Sequence, residues 1–191
     1  MLGVTVQTTE NYERYVHLDP DEAKYSDVLF GEPILLLSGV TYRIFHKRLW
    51  DILSTGSITI LYEIGYELGK DMMAEFKRRF KNTAKIFPVG IHHYFLLGAG
   101  KLEMNPIQLL RIAVTRSLTV KIKNNFPAVV LGETGQAECH ISRGYLTGAA
   151  ETLTGKKWTC VETRCLCKGD PNCEFKLKLL TKRAAQRPRA S

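Results

Sequence analysis

The chain has 191 residues, 45% hydrophobic and 24% charged, with a formal net charge of +8. That length suits one domain, or one domain with arms, able to bury a substantial core. No apolar run approaches the roughly 18–20 residues of a membrane span, and the start, MLGVTVQTTENYERY, lacks the basic-then-apolar order of a signal peptide, so a cytoplasmic protein is expected. The charge is polarised between the two ends. Residues 1–32 hold seven acids (Glu10, Glu13, Asp19, Asp21, Glu22, Asp27, Glu32) against Arg14 and Lys24, whereas residues 176–191 carry Lys176, Lys178, Lys182, Arg183, Arg187 and Arg189 and no acid. This reads as an acidic N-terminal arm (1–32), a folded body (33–180) and a solvated basic tail (181–191). Nucleic acid is not an expected partner except through that tail.

Within the arm, a short helix is expected near Pro20–Lys24, and Tyr12, Tyr15 and Tyr25 can pack on the body or on a second protomer. The body opens with a strand, ILLLS, after Glu32-Pro33. From Tyr42 to Leu53, Ile44, Phe45, Leu49, Ile52 and Leu53 recur at helical spacing. Gly56 ends that helix, and Ser57 can cap a longer one that reaches about Phe80, with a stripe of Leu61, Ile64, Leu68, Met72, Phe76 and Phe80. Gly65 and Gly69 lie one turn apart on it; they cost helix propensity, and close packing of another element is the expected return.

Residues 85–98 predict a third helix, interrupted by Pro88 and Gly90. Strands follow over 100–104, 108–114 and 118–124; in the last, Leu118, Val120 and Ile122 alternate with Thr119, Lys121 and Lys123. Residues 127–137 read as a Gly-rich connection. A fourth helix spans 138–153, with Gly144 and Gly148 spaced for tight packing, and Gly155 stops it. The segments 157–165 and 173–180 are an antiparallel hairpin. The order gives an α+β fold in which a twisted antiparallel sheet packs against helices.

All five cysteines fall between Cys139 and Cys173. Thiolates gathered with a carboxylate are the makings of a zinc site. The favoured set is Cys139, then Glu162 and Cys165 in an E-x-x-C step, then Cys173 beyond the Gly169-Asp170-Pro171 turn. Disulfides and ordinary buried cysteines are the alternatives, and Cys160 and Cys167 suit the latter because four ligands already fill a tetrahedral site. Three thiolates and a carboxylate leave no open coordination place, so the metal would be structural and would tie the fourth helix to the hairpin.

The run G-Y-L-T-G-A-A after a cysteine, then V-E-T-x-C, then C-x-G-D-x-x-C-x-F resembles the vinyl-4-reductase domain family, over roughly residues 34–180. That family includes sensor domains of phenol-responsive transcription activators and many stand-alone archaeal proteins, and it is distantly similar to core subunits of the TRAPP tethering complex. The resemblance implies the same α+β fold, often as a dimer, and a zinc held by the positions matching Cys139, Glu162, Cys165 and Cys173. It also implies a pocket between helices and sheet that uses a histidine from the helix before the strands and a strand tryptophan. His92, His93 and Tyr94 lie near the first position. Near the second there is no tryptophan; Asn124 and Phe126 stand there instead, a departure from the phenol sensors.

The expected ligand-binding residues are therefore His92, His93, Tyr94, Phe126 and Tyr145, and the expected ligand is an apolar or aromatic, hydrocarbon-like small molecule. Trp50 and Trp158 are explained equally well by the pocket and by the core. The functional expectation is a ligand-binding regulatory or sensor module with structural zinc, acting through its own homodimer or a separate regulatory partner. A scaffold dimer of the tethering-subunit type and a reductase acting on a tetrapyrrole vinyl group are the alternatives. For the last, Gly98-Ala-Gly100 and Gly132-Glu-Thr-Gly135 lack the strand-to-helix setting of a dinucleotide site, and no catalytic residue is assigned.

Overall fold

A computed structural model describes residues 16–22, 24–27, 31–34, 37–80, 86, 90, 94, 99–105, 107–108 and 112–180. The chain divides into two compact units, 1–41 and 42–191. In the first, β1 (Val16–Asp19), β2 (Lys24–Asp27) and β3 (Pro33–Ile34) form an antiparallel sheet in the order β1-β2-β3. Where a short helix was expected, Pro20 to Glu22 make the β1–β2 turn. Asp19 Oδ1 accepts the N–H groups of Asp21 (3.0 Å) and Glu22 (3.2 Å), bonds that compete with helix formation. Ile34 of the expected ILLLS strand lies in β3, while Leu35 and Leu36 fall outside the described residues.

Helix α1 (Gly39–Leu53) starts before the expected Tyr42 because Ser38 caps it: its Oγ accepts the Thr41 N–H at 3.2 Å. Helix α2 (Gly56–Arg79) buries Leu61, Gly65, Gly69, Met73 and Phe76, while Ile64 and Leu68 of the expected stripe are exposed. The glycines decide which face goes inward, since they allow backbone contact with α5 (His140–Thr154). A Cβ on Gly65 would lie 2.0 Å from Ile141 O and one on Gly69 2.1 Å from Tyr145 O. Reciprocally, a Cβ on Gly144 would lie 2.0 Å from Tyr62 O and one on Gly148 2.1 Å from Tyr66 O. The rising residue numbers on both sides show that the two helices run parallel. Polar bonds flank the crossing, Tyr66 Oη donating to Glu151 Oε2 at 2.7 Å and Lys77 Nζ to Thr152 O at 3.2 Å.

The main sheet joins β4 (Lys101–Met104), β5 (Ser117–Lys123), β6 (Trp158–Arg164) and β7 (Cys173–Leu179) in the antiparallel order β4-β5-β7-β6. Period-2 alternation buries Leu118, Val120, Ile122, Trp158, Cys160, Phe175 and Leu177 on one face and exposes Lys121, Lys123, Lys176 and Lys178 on the other. The buried face and α5 share one core, to which Leu146 and Cys139 contribute.

Two expectations are corrected within the described residues. The strand expected over 108–114 is helical at Gln108 and over Ile112–Thr115 (α3). Asn105 begins a turn there, accepting the Ile107 N–H at 2.9 Å through Oδ1 and the Gln108 N–H at 3.0 Å through its carbonyl. The connection expected over 127–137 contains α4 (Phe126–Leu131), which Asn125 precedes and Pro127 opens, the position where a missing N–H costs nothing. The helix expected over 85–98 lies outside the described residues except for Ile86, Gly90 and Tyr94.

Candidate metal centre and ligand cavity

The four residues chosen as metal ligands converge. One donor atom from each of Cys139, Glu162, Cys165 and Cys173 lies within 4.8 Å of every other. Cys139 immediately precedes α5 and Cys173 opens β7. Glu162 and Cys165 are three residues apart, a spacing that a regular strand sends to opposite faces. A β-bulge between Glu162 and Arg164 adds the missing residue, Thr163, and brings both inward. Beyond Cys165 a single 3-10 turn (Leu166–Lys168) ends at Gly169, whose φ of 84° suits glycine. Asp170 Oδ2 accepts the Cys165 N–H at 2.8 Å and so fixes this knuckle.

Cys139 Sγ lies 3.7 Å from Cys165 Sγ and 3.5 Å from Cys173 Sγ. A disulfide needs about 2.05 Å, whereas an ion bonded tetrahedrally at about 2.3 Å spaces its sulfurs about 3.8 Å apart. All five cysteines are free thiols. Glu162 Oε2 accepts the Cys139 N–H at 3.2 Å, while its buried Oε1 has no hydrogen-bond partner. A buried carboxylate oxygen left bare beside three sulfurs is what a cation would satisfy.

The protonation pattern agrees. Burial, then the neighbouring Cys165, pushes the Glu162 carboxyl up to about 8. Sulfur contacts with Cys165 and Cys173 raise the Cys139 thiol, and contacts with Cys139 and Cys173 lower the Cys165 thiol. These four residues could hold a metal ion as three thiolates and a carboxylate. Cys160 and Cys167 are buried outside this set. Burial pushes Cys160 up to about 12, and Cys167 sits under α4 with its sulfur 3.9 Å from Ala128 O.

A second feature lies further along α5. A cavity of about 90 Å³ opens between α2, α5 and the sheet. Met73, Leu102, Met104, Val120, Leu146 and Leu177 are among its walls, and its hydroxyl-bearing residues are Tyr94 and Tyr145. Burial pushes the Tyr94 hydroxyl up to about 12 and also raises that of Tyr145, so both stay neutral. Tyr94 Oη donates to Ser142 Oγ at 3.4 Å, and Ser142 Oγ donates to the fully buried Asn125 Oδ1 at 3.0 Å. Among the described residues no carboxylate or ammonium lines this space, so none of them would compensate a charged ligand there.

Of the expected ligand-binding residues, Tyr94 and Tyr145 line the cavity, their rings 5.2 Å apart. Phe126 is not among the lining residues; at the start of α4 it packs edge-on against Tyr42 at 5.3 Å. His92 and His93 lie outside the described residues. Trp158 is buried in the core, and Trp50 is partly exposed. Sequence reasoning missed Met73, Leu102, Met104, Ser142 and Asn125. The apolar ones carry no signal beyond periodicity, and the Asn125–Ser142 contact joins residues 17 apart.

Residues 118–179 match the family model for the V4R domain. An uncharacterized protein of Methanocaldococcus jannaschii is 27% identical over 130 residues, covering 65% of this chain and 66% of that one, just under two thirds of the relative's own length. The phenol-responsive sensory domain of the transcription activator PoxR, solved with phenol, superposes with a TM-score of 0.71 at 18% identity, covering 88% of this chain and 87% of that one. A trafficking protein particle complex subunit 3 from Naegleria fowleri, covalently bound to palmitic acid, gives 0.55 at 17% identity, covering 75% and 93%. At these identities the structural likeness is one of fold, the antiparallel sheet packed with helices read from the sequence. Residues 118–179 thus match the V4R domain model, and the chain has a fold like those of a phenol-responsive sensory domain and a trafficking-complex subunit.

Proposed function

We propose that the protein is a small-molecule-binding regulatory module whose ligand is neutral and apolar or aromatic, with one structural zinc held by Cys139, Glu162, Cys165 and Cys173. The observation that carries this reading is the cavity between α2, α5 and the sheet, whose described lining residues carry no charge. The fold likeness to a domain solved with phenol supports it. At about 90 Å³ the cavity is well above the roughly 10–15 Å³ that one water needs, and below the roughly 150 Å³ of a cavity that takes benzene. A single-ring ligand therefore requires Met73 and Met104, unbranched and adaptable side chains, to move aside. Bound zinc would supply charge neutralisation and a rigid cross-link between α5 and the hairpin; its four protein donors leave no place for substrate.

Titration calorimetry and thermal-shift measurements with toluene, phenol and benzoate test this. Toluene or phenol should bind and raise the melting temperature, and benzoate should do neither. A protein indifferent to all three and to larger neutral hydrocarbons would refute the ligand reading.

A second reading, assembly as a homodimer that also docks a separate regulatory protein, draws on α1. Ile44, Phe45, Ile52 and Leu53 are exposed on that helix at 58, 46, 76 and 40%. Apolar side chains clustered on one helix mark an interaction surface more often than a solvated one.

A further inference from the structure

Apart from the thiolate cluster and the apolar cavity, the described residues enclose a space of opposite character on the solvent side of the sheet. About 270 Å³ lie between β4, β5 and the turn after β4, bounded by Glu103, Met104, Asn105, Gln108, Thr119 and Lys121. Strand alternation turns Glu103, Thr119 and Lys121 away from the core residues Leu118, Val120 and Ile122, and the turn at Asn105 brings Gln108 back against Thr119. Both amides direct their oxygens at the backbone: Asn105 Oδ1 accepts the Ile107 N–H at 2.9 Å, and Gln108 Oε1 accepts the Thr119 N–H at 3.1 Å. That leaves Asn105 Nδ2, Gln108 Nε2 and the Thr119 hydroxyl without hydrogen-bond partners among the described residues. Lys121 adds an ammonium 3.9 Å from Glu174, and the exposed Lys176 stands directly across the strands from Thr119. Glu103 is the acid of this lining. Its Oε1 lies 3.0 Å from Lys123 Nζ and 3.7 Å from Lys101 Nζ, so two lysines already match its charge.

We propose that this pocket is a binding site for a small phosphorylated polyol, separate from the apolar cavity. Its unengaged groups are mainly donors, and a phosphate monoester offers three strong acceptor oxygens with net negative charge. Lys121, Asn105 Nδ2 and Gln108 Nε2 would hold those oxygens, the ammonium giving the charge-assisted bond. Glu103, an acceptor, would take a hydroxyl of the polyol, and the Thr119 hydroxyl can serve either end. At about 270 Å³ the pocket falls just below the roughly 300 Å³ at which sites for drug-sized ligands begin, so it suits a small metabolite. Benzoate, planar and without hydroxyls, matches neither end. Met104 borders both this pocket and the apolar cavity, and one side chain therefore divides two sites of contrasting chemistry.

Titration calorimetry of the full chain with glycerol 3-phosphate, inorganic phosphate and glycerol tests the proposal. Glycerol 3-phosphate should bind as one equivalent, inorganic phosphate more weakly, and glycerol not measurably. Asn105→Asp and Gln108→Glu each keep the oxygen that accepts the backbone N–H and delete the nitrogen donor. Both should retain the wild-type melting temperature and weaken glycerol 3-phosphate by at least about tenfold, the size of a lost hydrogen bond to a charged group. Lys121→Gln, at an exposed residue, should weaken it likewise and keeps the test open if either of the others destabilises the fold. Lys47→Glu shifts the net charge further but lies on α1, and it should leave binding unchanged. A wild type that does not bind glycerol 3-phosphate would overturn the proposal. So would binding that Lys47→Glu weakens as much as the pocket variants do, which is a general attraction of a basic chain for anions. Inorganic phosphate bound as tightly as glycerol 3-phosphate would overturn the polyol assignment.

Discussion

Replacing Gly144 by alanine should destabilise the protein although alanine is the better helix former. The new Cβ would lie 2.0 Å from Tyr62 O and 2.7 Å from Tyr66 N, both backbone atoms of α2, where real Cβ contacts essentially never fall below 3.0 Å. No rotamer can relieve a clash with backbone, so the α2 and α5 axes must part locally by about 1 Å. Overpacking of this kind costs about 1–3 kcal/mol, and with rigid backbone on both sides the upper end applies. Helix propensity returns at most about 1 kcal/mol, leaving a net loss of about 2 kcal/mol. At about 2–4 °C per kcal/mol for a chain of this size, the melting temperature should fall by roughly 4–8 °C, measured by circular dichroism alongside a guanidinium titration. Gly56→Ala is the control. Its Cβ would meet only Leu53 Cβ at 3.7 Å, and the change should be neutral or stabilising by up to about 1 kcal/mol. If Gly144→Ala matched Gly56→Ala, the backbone contact between the two helices would be refuted.

Three further outcomes follow from the same geometry. In metal-depleted protein the Glu162 carboxyl titrates near 8 when folded against an ordinary value of 4.5, so its contribution to stability is full below about 4.5 and lost as pH rises through about 8. Zinc requires the deprotonated donors, so the loaded protein should gain stability over the same rise; urea midpoints from pH 5 to 8 with and without chelator should diverge, and parallel curves would contradict the assignment. Ala150→Leu places added carbons in the cavity and should abolish the thermal shift caused by phenol without lowering the melting temperature; a retained shift would place the ligand elsewhere. Ile44→Lys/Ile52→Lys alters two side chains that are 58 and 76% exposed, so it should leave monomer stability within about 0.5 kcal/mol. If α1 is the dimer face, the same variant should sediment as a monomer while the wild type sediments as a dimer.

How far the sequence could be read depended on the range of the interactions involved. The convergence of Cys139, Glu162, Cys165 and Cys173 was legible because thiols are scarce in this chain and cluster within 35 residues, and because the Gly169-Asp170 turn signals the return of Cys173. The two glycine pairs were legible as close-packing sites, but not as partners of each other, since residues 65 and 144 meet only through the tertiary fold. Local chemistry misled where two patterns overlapped. Leu109 to Val114 fits a strand as well as a helix, and the Asn105 side chain tips the balance toward a helical turn at Gln108. Residues 127–137 read as a connection, whereas Pro127 opens α4. The cavity walls, and the burial of Glu138 between His46 and His140, depend on contacts among residues distant in sequence, for which spacing alone carries no signal.

Native mass spectrometry of the protein purified from its own host, set against the denatured spectrum, tests the account most directly. The native protein should carry zinc and a neutral organic compound, both lost on denaturation to leave the 21.6 kDa chain. A native mass that holds zinc but no organic compound, unchanged after exposure to neutral aromatics, would contradict the ligand-binding reading. A native mass without metal would contradict the zinc centre.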